Sequence, residues 1–260
     1  MTHPRDLFDL SGKVAIVTGG GSGIGRQMSE GLAEMGADLV LCARKAERCE
    51  QAAEELRGLG VRAIGMGCDV RDPEQVQAVV DRARDELGPI DVLVNNAGTV
   101  WGGWPEDTPL EGWQKVLDVN LTGVFLCSQA AGRAMIEQGG GKIVNIASVA
   151  ALGGAPPEIM NAIAYNATKG GVVSFTRDLA TKWARHSINV NAIAPGYVRT
   201  DATQALQDDP VRAKALLARI PAGRWGEVED MAGAAVFLAS RASDYCHGTI
   251  LVVDGGWLAG

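Results

Sequence analysis

Short β-branched and aliphatic runs alternate with longer stretches of helical periodicity along the whole chain. Lys13–Thr18 (KVAIVT), Asp38–Cys42, Val61–Met66, Asp91–Val94, Lys142–Ile146, Ile188–Ile193 and Thr249–Val253 read as seven strands. They are near-continuous apolar runs, as strands covered on both faces must be. Between them, Ile24, Met28, Leu32 and Met35 fall on one helical face that stops at Gly36. Cys49, Ala52, Ala53 and Leu56 make a second stripe, ended by Gly58 and Gly60. Asp72-Pro73 pairs an N-cap side chain with a proline at the first helical position, opening a helix faced by Val76, Val79, Val80, Ala83 and Leu87. Longer helices fit within Leu110–Glu137 and Ala162–Arg185, and a shorter one near Val228–Ala239. The alternation predicts an α/β fold, a doubly wound seven-stranded parallel sheet with helices on both faces, over a single domain spanning 1–260. Only Pro195–Trp225 breaks the rhythm. It is either a surface excursion or a flap over a site at the sheet's carboxyl edge, and the flap is the favoured reading.

Composition narrows the function. Of 260 residues, 47% are hydrophobic and 21% charged, values of a folded globular chain, so disorder is excluded. The net charge is −7 with no Lys/Arg run, which removes electrostatic support for a nucleic-acid or anionic-membrane partner. No apolar stretch is long enough to span a bilayer, and no secretory signal is visible at the N-terminus. Five cysteines form no CxxC pair and read as reduced thiols, pointing to the cytoplasm. Three histidines, only one of them (His247, beside Cys246) next to a cysteine, make no ligand-spaced cluster, so no metal site is expected.

The chemistry concentrates in a few places. After the first strand comes Thr18-Gly19-Gly20-Gly21-Ser22-Gly23-Ile24-Gly25, leading into a helix. Glycines let a pyrophosphate approach the backbone, and the helix start offers free N–H groups and the positive end of its dipole. A Gly-rich turn without a ligand is the bland alternative; the strand–turn–helix context argues against it. Asn95-Asn96-Ala97-Gly98 ends the fourth strand, where paired asparagines can hold neighbouring loops. Ser148 follows the fifth strand, and Tyr165 and Lys169 lie four apart on one helical face. An ammonium one turn from a phenol lowers the phenol's pKa from its usual value of about 10, and Ser148 can hold a substrate oxygen.

Together TGGGSGIG at 18–25, NNAG at 95–98, Asn120, Ser148, YNATK at 165–169 and PGYVRT at 195–200 resemble the short-chain dehydrogenase/reductase family across about Leu10–Leu258. LFDLSGKVAIVTG, the GGAPPE…IAYNATK segment and the terminal WLAG resemble its gluconate 5-dehydrogenase-like branch. The resemblance implies a Rossmann domain and hydride transfer between a nicotinamide cofactor and a secondary alcohol or ketone, here a sugar acid such as 5-keto-gluconate. It implies Tyr165 as general acid/base, Lys169 as its electrostatic partner and ribose contact, Ser148 as orienter and Asn120 as holder of a relay water. It implies cofactor contacts from Gly19, Gly21, Ser22, Gly23, Ile24, Gly25, Asp69, Val70, Asn96, Ala97, Gly98, Tyr165, Lys169, Pro195, Gly196, Val198 and Thr200, and a homotetramer.

Cofactor choice has a physical handle. An acidic residue ending the second strand would bond the ribose diol, but this chain reads Cys42-Ala43-Arg44-Lys45. Arg44, with Lys45, suits a 2′-phosphate and favours NADP(H). Ser22, where many NADP-preferring relatives are basic, keeps NAD(H) open. The stretch from Ser148 to Tyr165 is longer than in most relatives, and the extra residues fall within Gly153–Ile163. This is either a plain surface insertion or a pocket border in which Glu158, Met160 and Asn161 contact substrate; Arg199 would meet a carboxylate. Trp101 and Trp104 would cap the site or merely pack. The rival readings are a 3-oxoacyl-[acyl-carrier-protein] reductase, whose acidic partner would need a basic surface such as Arg199, Arg212, Lys214 and Arg219, and a catalytically silent nucleotide sensor or scaffold.

Overall fold

Alternate residues of the first strand serve opposite cores. In β1 (Val14–Thr18), Ala15 and Val17 pack on one side of the sheet, Val14 and Ile16 on the other. The same division holds in β2 (Asp38–Ala43), where Leu39 and Leu41 oppose Val40 and Cys42. Each strand therefore needs helices on both faces. The structure is a computed structural model that describes residues 3–260. Its other strands are β3 (Ala63–Gly67), β4 (Val92–Asn95), β5 (Gly141–Ile146), β6 (Ile188–Pro195) and β7 (Ile250–Val253). All pair in parallel, in the order β3-β2-β1-β4-β5-β6-β7.

One face is covered by α1 (Gly23–Glu34), α2 (Ala46–Arg57) and α9 (Ala232–Ala239), through Met28, Leu32, Ala53, Leu56 and Ala235. The other is covered by α3 (Pro73–Glu86), α5 (Gly123–Gln138) and α6 (Ile163–Trp183), through Val76, Val80, Ala131, Met135 and Ala180. The stripes expected from the 3.6-residue period are the buried ones. Asp72 caps α3 by accepting from the amides of Glu74 and Gln75.

The region expected as one helix over Leu110–Glu137 is broken. It forms α4 (Leu110–Leu117), a π-helical turn at Asp118–Thr122 and then α5. The wide turn shifts the register so that Asn120, wholly buried, faces the site. Residues 195–225 hold two short helices, α7 (Gln204–Gln207) and α8 (Pro210–Leu217).

The strand order reverses between β1 and β4. Parallel register brings Thr18 level with Cys42 on one side and Asn95 on the other, so three carboxyl ends open onto one crevice. Ligands of open α/β sheets bind at such a switch point.

Candidate active site

The glycine loop after β1 is held from below. Asn96 Nδ2 donates to the carbonyls of Thr18 (3.0 Å) and Gly19 (3.2 Å), and Thr18 Oγ1 accepts from the Asn96 and Ala97 amides. Asn96 thus braces the loop, where a direct adenosine contact was expected; it does not line the crevice. Its neighbour Asn95 bonds side chains: Nδ2 donates to Ser128 Oγ and Asn145 Oδ1. Asn145 in turn donates to Thr176 Oγ1, tying the ends of β4 and β5 to α5 and α6.

Two glycines make the loop shape compulsory. Gly19 adopts φ +68°, and a Cβ at Gly25 would lie 2.3 Å from the Gly19 carbonyl oxygen. Ser22, the residue before α1, makes no side-chain cap, so the first amides of α1 keep their donors for an anion. The Thr200 methyl reaches the loop, 3.6 Å from where a Gly23 Cβ would stand.

A crevice of about 260 Å³ runs along this loop, past Ala43, Val70, Gly98 and Val119. Its far end is basic. Arg44 and Lys45 lie there as expected, and Arg48 and Lys115 join them. Arg48 was legible as a basic residue one helical turn beyond Arg44, on the helix that follows β2. Lys115 was not legible, because only the fold brings α4 across; its ammonium sits 5.5 Å from the Trp101 ring. Among the described residues, Arg44, Lys45 and Arg48 have no acidic partner. Asp69 is taken by Arg71 at 2.6 Å, which holds its carboxyl below the usual range. Glycines where a pyrophosphate would press, free helix-start amides and unpaired cations beyond the adenosine position fit a dinucleotide carrying an additional phosphate.

At the other end lie the reactive groups. Ser148 is nearly buried, and its Oγ accepts from the Ala150 amide at 3.1 Å. Lys169, 4% exposed, donates to the Ile146 carbonyl at 2.6 Å and stands 5.6 Å from the centre of the Tyr165 ring. Asn120 bonds Thr99 in both directions, at 2.8 and 2.9 Å, and donates to Thr168 Oγ1 at 3.2 Å. A Cβ on Gly98 would lie 3.6 Å from Asn120 Oδ1 and 3.9 Å from Lys169 Nζ, so the three meet at one point. Ser148, Tyr165, Lys169 and Asn120 come together from three separate segments: the end of β5, α6 and the π turn.

The electrostatics differ from the expectation that Lys169 acidifies the phenol. Burial raises the Tyr165 pKa, and the group that lowers it is the Ser148 hydroxyl. Burial also lowers Lys169, to about 8. A low-dielectric site favours the neutral form of each.

The expected substrate contacts are scattered. Ile159 is 1% exposed and belongs to a cluster with Val149, Leu216, Ile220, Trp225 and Trp257. Met160 packs against that cluster, so 153–163 is an anchored segment rather than a loose insertion. Glu158 is exposed, and Asn161 turns its amide to the Pro157 carbonyl at 2.9 Å. Arg199 pairs with Glu227 at 3.1 Å and reaches Gln207. Pro195 ends β6, Gly196 packs on Asp254, and Val198 is buried in the core. Trp101 lies under α4 at Gly112, and Trp104 is 52% exposed. Among the described residues there is no cluster able to hold a metal, and no helix is long and apolar enough to cross a membrane.

A phosphate-binding crevice at the switch point, ending at a half-buried tyrosine and a buried lysine and serine, defines a nucleotide-dependent oxidoreductase. The chain belongs to the short-chain dehydrogenase/reductase family: residues 19–258 match the family model described as enoyl-(acyl carrier protein) reductase. It is 45% identical over 253 residues to 2-dehydro-3-deoxy-D-gluconate 5-dehydrogenase of Escherichia coli, covering 97% of this chain and 98% of that one. It is 44% identical to gluconate 5-dehydrogenase of Gluconobacter oxydans, covering 98% of each. Its fold matches the crystal structure of a gluconate 5-dehydrogenase from Burkholderia cenocepacia in complex with NADP and tartrate, with TM-score 0.94, 41% identity and coverage of 99% and 100%.

Proposed function

We propose that this enzyme interconverts a secondary alcohol and a ketone of a sugar acid, using NADP(H), with 5-keto-D-gluconate or a 2-dehydro-3-deoxy-D-gluconate as the preferred class of substrate. The observation that carries the reading is the meeting of Ser148, Tyr165 and Lys169 at the end of a crevice whose other end holds unpaired Arg44, Lys45 and Arg48. The nicotinamide, when bound, supplies or accepts the hydride. The chain's own work is different. Ser148 orients the substrate oxygen, and Tyr165 passes a proton to it or takes one from it. Lys169 holds the ribose and the local positive charge. Asn120, on its π turn, holds the water that resupplies the proton. Asp69, Val70, Ala97 and Gly98 flank the adenosine half, and Pro195–Thr200 borders the nicotinamide amide. NADPH oxidation measured against 5-keto-D-gluconate and a 3-oxoacyl thioester, together with NADP+ reduction measured against a 2-dehydro-3-deoxy-D-gluconate, tests this; turnover of the thioester alone would reject it.

The acyl-carrier alternative is disfavoured by charge. Of the four basic residues that would form its docking surface, Arg199 is paired with Glu227 and Arg212 is held by backbone carbonyls. The tuned phenol and buried lysine likewise give a silent scaffold no explanation.

Residues 195–225 act as a cover over the substrate. Arg212, on α8, donates to the Glu158 carbonyl at 2.9 Å and the Ile159 carbonyl at 2.7 Å, joining the cover to the 153–163 segment. Arg212→Ala removes two charge-assisted bonds at a partly exposed site. Steady-state kinetics should show the KM for the ketone rising roughly three- to tenfold, with NADPH affinity unchanged. Equal weakening of both ligands would mean a general loss of structure instead.

The homotetramer implied by family resemblance has support from exposed apolar side chains on helices of one sheet face, Leu110, Phe125 and Ile163, and near the C-terminus, Val252 and Leu258. Light scattering should give four times the 27.2 kDa chain mass, and a monomer would refute the assembly. We assign the enzyme to the cytoplasm on its free cysteines.

A further inference from the structure

We infer that Arg219, rather than Arg199, receives the carboxylate of the sugar-acid substrate; this rests on the function proposed above. The segment over the site carries four arginines, and three are engaged. Arg199 is paired with Glu227, Arg224 with Asp230, and Arg212 with the carbonyls of Glu158 and Ile159. Arg219, at the exposed end of α8, has no ion pair and no side-chain hydrogen bond among the described residues. A guanidinium with no carboxylate of its own keeps its planar fork free for one that arrives.

Arg219 is also positioned. Its guanidinium carbon lies over the Trp257 ring, 4.7 Å from the ring centre, a cation–π contact that holds the group in place. Trp257 is 6% exposed, so the support is rigid. The opposite neighbour of Trp257 is Tyr197, packed edge-on with ring centres 4.8 Å apart. Tyr197 links the stack to the reacting end. Burial pushes its phenol up to about 12, with Arg219 pulling the pKa down and Tyr165 pushing it up, so both charges are felt at that hydroxyl. Arg219, Trp257 and Tyr197 thus form a continuous cation–aromatic row, and Tyr197 packs on the cluster that holds Val149, the residue after Ser148. A 5-keto-hexonate has its ketone and its carboxylate near opposite ends of the chain. Its carboxylate receptor must therefore stand away from Tyr165, across a wall such as Tyr197, and not beside it.

The test compares 5-keto-D-gluconate with L-sorbose, the neutral ketose carrying a hydroxymethyl group in place of the carboxylate. The wild-type enzyme should prefer the acid. Arg219→Met should lower kcat/KM for 5-keto-D-gluconate by roughly 10- to 100-fold, mainly through KM, and leave L-sorbose reduction unchanged. Arg219→Lys should restore part of the loss, and Arg199→Met should keep the preference. Equal losses on both substrates, no loss on the acid, or loss of preference at Arg199→Met instead would overturn the assignment. A wild-type enzyme that turns over the acid with no preference would remove the receptor but leave the proposed reaction standing. A wild-type enzyme active on neither substrate would remove 5-keto-D-gluconate as its substrate, and this inference with it.

Discussion

Replacing Tyr165 with Phe is expected to lower kcat for ketone reduction by roughly 10²- to 10⁴-fold, the usual share of a positioned proton donor, while the Kd for NADPH stays near its original value. That loss corresponds to about 3–5 kcal/mol of transition-state stabilisation. The substitution keeps the ring that Lys169 approaches at 5.6 Å and deletes only the hydroxyl that interacts with Ser148. Folding should therefore survive. The direction of the pKa shift gives the reason for the size of the effect. Burial holds the phenol protonated, and although burial also lowers Lys169, to about 8, its ammonium still predominates near neutrality. Tyr165 is consequently ready to donate a proton to a developing alkoxide, which is what reduction requires. To act as base in the reverse direction it needs a cationic neighbour; beside a bound oxidised nicotinamide it gains one, in addition to Lys169. Initial-rate assays with fluorescence titration of NADPH separate the two effects. Retention of more than a tenth of the wild-type kcat would remove Tyr165 from the proton-transfer role.

Much of this site was legible because its parts are local. The glycine loop, the capping Asp72-Pro73 pair and the Tyr165–Lys169 spacing each sit within one turn or one helix, where a period or a single conformational demand leaves its mark. The doubly wound parallel sheet followed from alternation alone; the order of its strands did not. What could not be read depends on contacts between distant segments. The π turn at Asp118–Thr122 has no composition signal; its geometry is sustained by Asn120 bonding Thr99 and Thr168. Asn96 was legible as a loop brace and as a cofactor neighbour; the brace is what its bonds show, and which loop it holds, through the Thr18 and Gly19 carbonyls, appears only once β4 lies beside β1. Arg199 looked available for a carboxylate, but Glu227 lies across a bridge between Val198 and Gly226 that joins two stretches of loop. The Gly153–Ile163 segment looked equally suited to surface or pocket; buried Ile159 anchors it in the cluster with Val149, Leu216 and Trp257. In each case the side chain's chemistry was visible and its partner was not.

Arg44→Asp is expected to shift the ratio of kcat/KM for NADPH over NADH by roughly 10²- to 10³-fold toward NADH. Two terms add. The substitution deletes charge-assisted bonds to a 2′-phosphate, each worth about 1.5–3 kcal/mol, and it sets a carboxylate facing that phosphate. The same carboxylate stands at the end of β2, where it can accept from the ribose diol of NAD(H), so NADH should gain while NADPH loses. Lys45 and Arg48 moderate the loss, since both line the crevice and neither has an acidic partner among the described residues. Arg44→Asp combined with Arg48→Ala should therefore move the ratio further than either alone. Arg44 is exposed, so its attraction to the phosphate is open to screening. The wild-type KM for NADPH should climb with ionic strength more steeply than that for NADH, and the difference should shrink in the Asp variant. An unchanged cofactor ratio in that variant would mean that Arg44 does not read the phosphate, and that Arg48 or Lys45 carries the discrimination instead.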